Sequence, residues 1–391
     1  MKKSRSPRSA KSPEVPARDP YRLETVARAC HLLKAFSDGD ALSLKEVVAR
    51  TGLNKSIAFR LLRTLENSGL IRGVGGHQYQ SNVRLLGSRR YRIGFGAQAE
   101  DNPFAVTVTE SVRHAAAQED IDLIILNNSY SANTAVKNAR RFIAEGIDLA
   151  IEFQVHERAA PLISSLFQEA RIPLVAVDIP HPGATFYGVD NYRVGLSAGR
   201  FLAHWAKQHW GAAVDEVLML ELEIAGFLPH LRLLGAEEGM RQILPGLGQS
   251  CVVHLDTRGD FCQALELTRK HLHRVSKRRT LLAGVNDGSL LGSLSAFEET
   301  GRADHCAAVG LGADVSMRTE LRRPGSRLIG AIAFFPEQYG NDLIRLALDI
   351  LRRKPVPPAI HVRHQLVTPI NIDCFYPNER LQAGQGKSTP L

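Results

Sequence analysis

Between Leu42 and Tyr79 the apolar positions follow the order of a short helix, a turn, a longer helix and a hairpin. Ser43 followed by Glu46 is a capping box, so a helix is expected to start there, with Val47 and Val48 on its apolar side. Thr51-Gly52 closes it. Asn54 is placed to cap a second helix running to about Ser68. Its spacing puts Ile57, Leu61, Leu62 and Leu65 on one stripe, and Ser56, Phe59, Arg60, Arg63 and Asn67 on the other. Leu70-Ile71-Arg72, the tip Gly73-Val74-Gly75-Gly76 and His77-Gln78-Tyr79 predict a small hairpin. Upstream, a helix is expected over 22–36 with Leu23, Val26, Cys30 and Leu33 on one face and Ala27 beside them. Residues 21–88 therefore predict a winged helix-turn-helix.

Beyond a connection over 81–90, which carries Val83, Leu85 and Leu86 instead of a flexible polar spacer, the pattern changes. Strands are expected over 91–96, 122–126, 148–153, 173–178, 216–221, 251–255, 280–286, 307–311, 328–334 and 364–372. Most are separated by amphipathic stretches of helix length, such as 133–145, 191–209 and 261–275. This alternation predicts an α/β fold with helices on both faces of parallel sheets. About ten strands in nearly 290 residues point to two doubly wound lobes over 89–376 instead of one sheet. Residues 1–20, rich in Lys, Arg, Ser and Pro, are expected to be a disordered basic arm, and 377–391 a disordered tail.

Charge is unevenly distributed. Residues 1–90 hold 18 Lys and Arg against 7 Asp and Glu, a net of +11, whereas the whole chain carries +9, which leaves 91–391 at −2. The positive excess coincides with the helix-turn-helix, where it would displace counterions from a phosphate backbone; the alternative is a basic start that merely aids solubility. No apolar run approaches the ~20 residues of a membrane span. The five cysteines (Cys30, Cys251, Cys262, Cys306, Cys374) are scattered without a CxxC pair, so reduced thiols and a cytoplasmic location are expected.

The segment VVARTGLNKSIAFRLLRTLENSGLIR resembles the winged helix of the IclR family of bacterial transcription regulators, over about 22–88. Residues 91–376 resemble the type-1 periplasmic binding protein fold, shared by ribose-binding proteins and LacI-type repressor cores. Five segments carry that likeness: Asn102-Pro103-Phe104, the run from Ile172 to Asp178, Gly188-Val189-Asp190-Asn191 with Gly195 and Ala198-Gly199, Arg232-Leu233-Leu234-Gly235, and Asn286-Asp287-Gly288. Together the resemblances imply a ligand-responsive regulator of double-stranded operator DNA, a homodimer, with a small sugar-like effector between its lobes.

Ligands of doubly wound sheets bind beyond the carboxyl ends of the strands. The ligand-binding residues expected on that basis are Phe104, Asp178, Asp190, Asn191, Arg232, Asn286, Asp287, Asp314 and Phe334. Carboxylates accept from hydroxyls, Arg and Asn donate back, and an aromatic ring covers an apolar sugar face. Bland alternatives stand beside each: Asp190-Asn191 as a helix cap, Asp178 as a turn former before Pro180, and Phe104 and Phe334 as core. Ala105, Ile179-Pro180 and Phe334 depart from the sugar-binder pattern and point to a less polar or differently shaped ligand. For DNA the expected contacts are Ser43, Asn54, Lys55, Ser56, Phe59, Arg60, Arg63 and Arg72. No GxSxG, HExxH or paired Cys/His motif occurs, and His271-Leu272-His273 in RKHLHRVSKRR reads as a solvated basic helix end, so no catalytic, metal or cofactor site is expected. Two rivals stay open: an enzyme targeted to DNA, and a sensor domain that only dimerises.

Overall fold

A computed structural model describes residues 23–36, 41–82 and 90–379. The expected basic arm, the connecting residues Val83, Leu85 and Leu86, and the tail beyond Glu379 lie outside these. The chain divides into two compact units, Met1–Arg89 and Arg90–Leu391.

The first unit holds α1 (Glu24–Lys34), β1 (Ala41–Ser43), α2 (Leu44–Thr51), α3 (Lys55–Asn67), β2 (Ile71–Gly73) and β3 (Gln78–Ser81). The Ser43–Glu46 capping box forms, and Gly52 ends α2 at φ 66°, a left-handed position that glycine adopts without strain. Asn54 caps α3 by accepting from the Ile57 amide at 2.8 Å. Leu61, Leu62 and Leu65 are buried as expected, but Ala58 is fully buried where Ile57 is only partly so. The expected face of α1 is corrected. Leu32, Leu33 and Phe36 are buried, while Leu23, Val26 and Cys30 are exposed, because the helix turns its C-terminal half onto the core. β1 was not anticipated; three residues are too few for periodicity, and it becomes a strand only by pairing antiparallel with β3, which also pairs with β2.

In the second unit the first lobe contains β4 (Arg92–Ala97), α4 (Pro103–Gln118), β5 (Asp122–Asn127), α5 (Ala132–Ala144), β6 (Leu149–Phe153), α6 (Ala160–Glu169), β7 (Leu174–Val177) and β8 (Thr185–Gly188). The chain then crosses to the second lobe: α7 (Asn191–Trp210), β9 (Glu216–Glu221), α8 (Phe227–Ile243), β10 (Val252–Asp256), α9 (Phe261–Arg274), β11 (Thr280–Gly284), α10 (Asp287–Glu299), β12 (Cys306–Gly312), α11 (Val315–Arg322) and β13 (Leu328–Ala333). It returns for α12 (Tyr339–Leu351) and β14 (Ala359–His361), and crosses again to β15 (Gln365–Val367) and α13 (Ile372–Phe375). The sheets run β14-β8-β7-β6-β4-β5 and β10-β9-β11-β12-β13-β15, parallel throughout except for the antiparallel β15. All ten expected strands are present; β8 and β14 are additional. The strand expected over 364–372 stops at Val367. Pro369 follows, and the Asn371 side chain accepts from the Thr368 amide at 2.7 Å, turning the chain into α13.

Central strands are apolar on both faces because helices cover both sides, and β6 is buried along its whole length. One polar residue interrupts it. Glu152 is 0% exposed and accepts a hydrogen bond from Asn128 at 2.8 Å, while its Oε2 has no partner; burial pushes its carboxyl up to about 8. In the second lobe α7 and α8 approach backbone to backbone. A Cβ at Gly195, Gly199, Gly235 or Gly239 would overlap a carbonyl oxygen of the opposite helix. The expected tail is corrected at its start: Glu379 is ion-paired to Arg318 at 2.5 Å and Arg322 at 2.7 Å.

Candidate ligand cleft and nucleic-acid interface

On the first unit, Lys55, Ser56, Phe59, Arg60 and Arg63 are all exposed along α3, opposite its buried stripe. Arg63 is paired with Glu66 at 2.9 Å, whereas Arg60 makes no ion pair among the described residues. Arg72 lies across β2–β3 from Gln80 and donates to its carbonyl at 2.7 Å, which aims the guanidinium along the hairpin. Ser43 and Asn54 serve as helix caps, so their side-chain oxygens are already engaged.

On the second unit, a cleft with about 710 Å³ of empty space, part of it open to solvent, is lined from both lobes. Seven of the nine expected ligand residues line it: Phe104, Asp178, Arg232, Asn286, Asp287, Asp314 and Phe334. Six of them follow a strand or open a helix at the carboxyl edge of a sheet, and Arg232 reaches in from the second turn of α8. Asp178 comes directly after β7, with φ 61°. Asn286 caps α10 through the Ser289 amide at 3.1 Å, and Asp314 caps α11 through the Met317 amide at 2.9 Å. Asn286 is tied down further, its Nδ2 donating to the Gly259 carbonyl at 2.9 Å.

Asp190 and Asn191 do not line the cleft. Asp190 caps α7 by accepting from the Arg193 amide at 3.2 Å. Asn191 is 3% exposed and accepts from Arg232 Nε at 2.6 Å, so it orients the arginine. A second anchor runs from Arg232 Nη1 to the Val285 carbonyl at 2.7 Å, and the arginine lines the cleft. The guanidinium also lies over the Phe334 ring, 5.3 Å from its centroid. Phe334 meets Phe104 edge to face at 6.4 Å, giving an apolar wall.

Electrostatics follow from burial. Asp178 is raised by desolvation, with Arg232 opposing; Arg232 is lowered by desolvation, with Asp178 opposing. Asp287 accepts from the Asp314 amide at 2.7 Å, and both carboxyls are raised, chiefly by burial, Asp287 additionally by the charge of Asp314. Asp178 Oδ1 and Asp287 Oδ1 are buried without a partner among the described residues. Gln98 and Tyr130 were missed. Tyr130 bonds Asn102 at 2.9 Å and Gln98 at 3.3 Å, and burial pushes its hydroxyl up to about 12. Both residues follow strand ends, so the rule that found Asp178 reaches them once β4 and β5 are placed.

Among the described residues no group of three His, Cys, Asp or Glu is placed to hold a metal ion, and no helix is long and apolar enough to cross a membrane. His271 does not belong to a solvated helix end: it is largely buried and bonds Glu216 at 3.1 Å, a carboxylate 1% exposed that Arg278 also holds at 3.0 Å. All five cysteines are unpaired.

A periplasmic binding protein domain matches residues 93–355, and an IclR helix-turn-helix domain matches 25–75. The chain therefore belongs to the periplasmic binding protein domain family, with an IclR-type DNA-binding domain in front. Neither is an enzyme family. No curated protein matches the chain. Among solved structures, a solute-binding protein from Actinobacillus succinogenes 130z with bound D-allose superposes with TM-score 0.63 at 18% identity, covering 72% of this chain and 99% of its own. One from Bacillus halodurans C-125 with bound myo-inositol gives 0.63 at 18% identity, covering 74% and 99%. A glucose-galactose binding protein from Geobacillus stearothermophilus gives 0.62 at 18% identity, covering 73% and 99%. At that identity the likeness establishes the fold.

Proposed function

We propose that this protein is a cytoplasmic, non-enzymatic transcription regulator in which residues 21–88 read double-stranded operator DNA and 89–376 sense a sugar-like effector. The supporting observation is that an exposed, basic α3 face and a two-lobed cleft with unpartnered buried carboxylate oxygens occur in one chain. Lys55, Ser56, Phe59, Arg60 and Arg63 enter the major groove, and Arg72 lies on the adjacent backbone. Asp178, Asn286, Asp287, Asp314 and Arg232 bind hydroxyls, while Phe104 and Phe334 cover the apolar face of the ligand. The working form is a homodimer. The exposed Leu23 just before α1 and Val26 on it are available to a second copy, and two half-sites supply the specificity that one winged helix lacks.

The test is linkage. D-Allose, myo-inositol and D-fructose are titrated calorimetrically, with and without a saturating operator duplex selected from random DNA. Effector affinity should change with operator by about five- to 150-fold. Removing Asp178 or Arg232 by Asp178→Ala or Arg232→Ala should weaken effector binding by about ten- to hundredfold. Equal effector affinity with and without DNA would end the regulator reading.

A further inference from the structure

We propose that the cleft continues into a second chamber that takes a further sugar ring, making the effector a disaccharide or comparable glycoside. This rests on the sugar-binding reading above. The chamber has about 460 Å³ of empty space, part of it open to solvent, and adjoins the main cleft, since Leu222 and Val285 line both. Its other lining includes Glu221, Glu223, Phe227 and His230.

Two features match what a sugar ring requires. Phe227, the first residue of α8, is 64% exposed, a large aromatic surface left uncovered beside a cavity. The C–H face of a pyranose is the natural cover for such a ring. Beside this apolar element, and starting one turn along the same helix, stands a polar cluster. Glu221, at the end of β9, is faced by His254 Nδ1 from β10 and by His230 Nδ1 from α8, the latter at 3.8 Å. A carboxylate between two imidazoles offers acceptors and donors to adjacent ring hydroxyls.

The rim of the chamber is also where the lobes meet. The Phe227 amide donates to Glu157 of the first lobe at 3.4 Å, and a side chain at Gly226 would overlap the Glu157 carboxyl. The chamber is lined by the second lobe, and its Phe227 rim is the point where the first lobe touches it through Glu157. A single ring in the main cleft leaves Phe227 and Glu221 unused.

The experiment uses the full chain and matched probes: D-glucose with maltose and cellobiose, D-galactose with lactose and melibiose, and D-xylose with xylobiose, each titrated calorimetrically. At least one disaccharide should bind roughly tenfold or more tightly than either of its own monosaccharides. Phe227→Ala should erase that advantage, reducing disaccharide affinity far more than monosaccharide affinity. Glu221→Gln serves as a second variant, and unfolding temperatures confirm that both are folded. Monosaccharides binding as tightly as every disaccharide that contains them would overturn the proposal while leaving the sugar-binding reading intact. So would equal weakening of both classes by Phe227→Ala, which would make Phe227 a contact between lobes. Binding of no saccharide at all would overturn both.

Discussion

Replacing Glu152 by glutamine should remove a pH dependence of stability that the native fold carries at neutral pH. Glu152 is wholly buried in β6, its Oε1 accepts from Asn128 and its Oε2 has no partner, so the neutral acid is the favoured form until about pH 8. In the unfolded chain the same carboxyl ionises near 4.5. Between those values the native state holds a proton that the unfolded state has lost, and stability falls as pH rises. The slope is about 1.4 kcal/mol per pH unit, or roughly 2.5 kcal/mol between about pH 5.5 and 7.5. Glutamine can keep the acceptor to Asn128 and has no charge to gain. Urea unfolding of the parent and Glu152→Gln would be followed by tryptophan emission at several pH values. Both tryptophans, Trp205 and Trp210, lie on α7, so the signal reports the α/β unit alone. Other titrating groups cancel in the difference between the two proteins. If that difference is flat from about pH 5.5 to 7.5, Glu152 is not a buried neutral acid and the reasoning fails.

Further expectations follow from other positions. His181 is 5% exposed, its Nε2 has no partner, and burial lowers it to about 4; its stabilising effect is complete above pH 6.5 and lost as pH falls toward 4. His181→Asn should flatten that acid limb in the same unfolding assay, and an unchanged limb would count against a buried neutral imidazole. Gly235→Ala should destabilise the second lobe by ~1–3 kcal/mol or more, since the new methyl overlaps the Tyr192 carbonyl; an unshifted thermal transition would refute the close helix contact. Arg60→Ala should cost ~1–3 kcal/mol of base discrimination in duplex-binding titrations, and retention of both affinity and preference would remove α3 as the reader.

Much of this fold was legible because its elements announce themselves locally. The capping box at Ser43 and the cap at Asn54 set two helix starts, and fully buried parallel strands such as Leu149–Phe153 appear as short apolar runs. The edge strands were not legible. Ala359–His361 has three residues after a Pro-Pro pair, and Thr185–Gly188 follows a turn; pairing with each other and with β7 makes them strands. The face of α1 was misjudged because Leu23, Val26, Cys30 and Leu33 fit one stripe as well as Ala29, Leu32, Leu33 and Phe36 fit another. In the cleft, the strand-end rule located Asp178, Asn286 and Asp314. Asp190 and Asn191 lie off the cleft, one capping α7 and the other holding Arg232, because helix caps and cleft residues employ the same side chains. Only the geometry separates a residue that faces a ligand from one that holds its neighbour.

The contacts of the Ile372–Glu379 segment set an order of synthesis. Arg318 donates to the Ala313 carbonyl beside Asp314 and is held in turn by Glu379, while Phe335, next to Phe334 in the cleft, stacks on Tyr376. Two walls of the cleft are therefore braced by residues translated about 300 positions after the helix-turn-helix ends. At typical rates of ~5–20 residues per second, the ribosome needs roughly 15–60 seconds to cover that distance. During that interval a nascent chain carries a fully translated helix-turn-helix and an unbraced cleft.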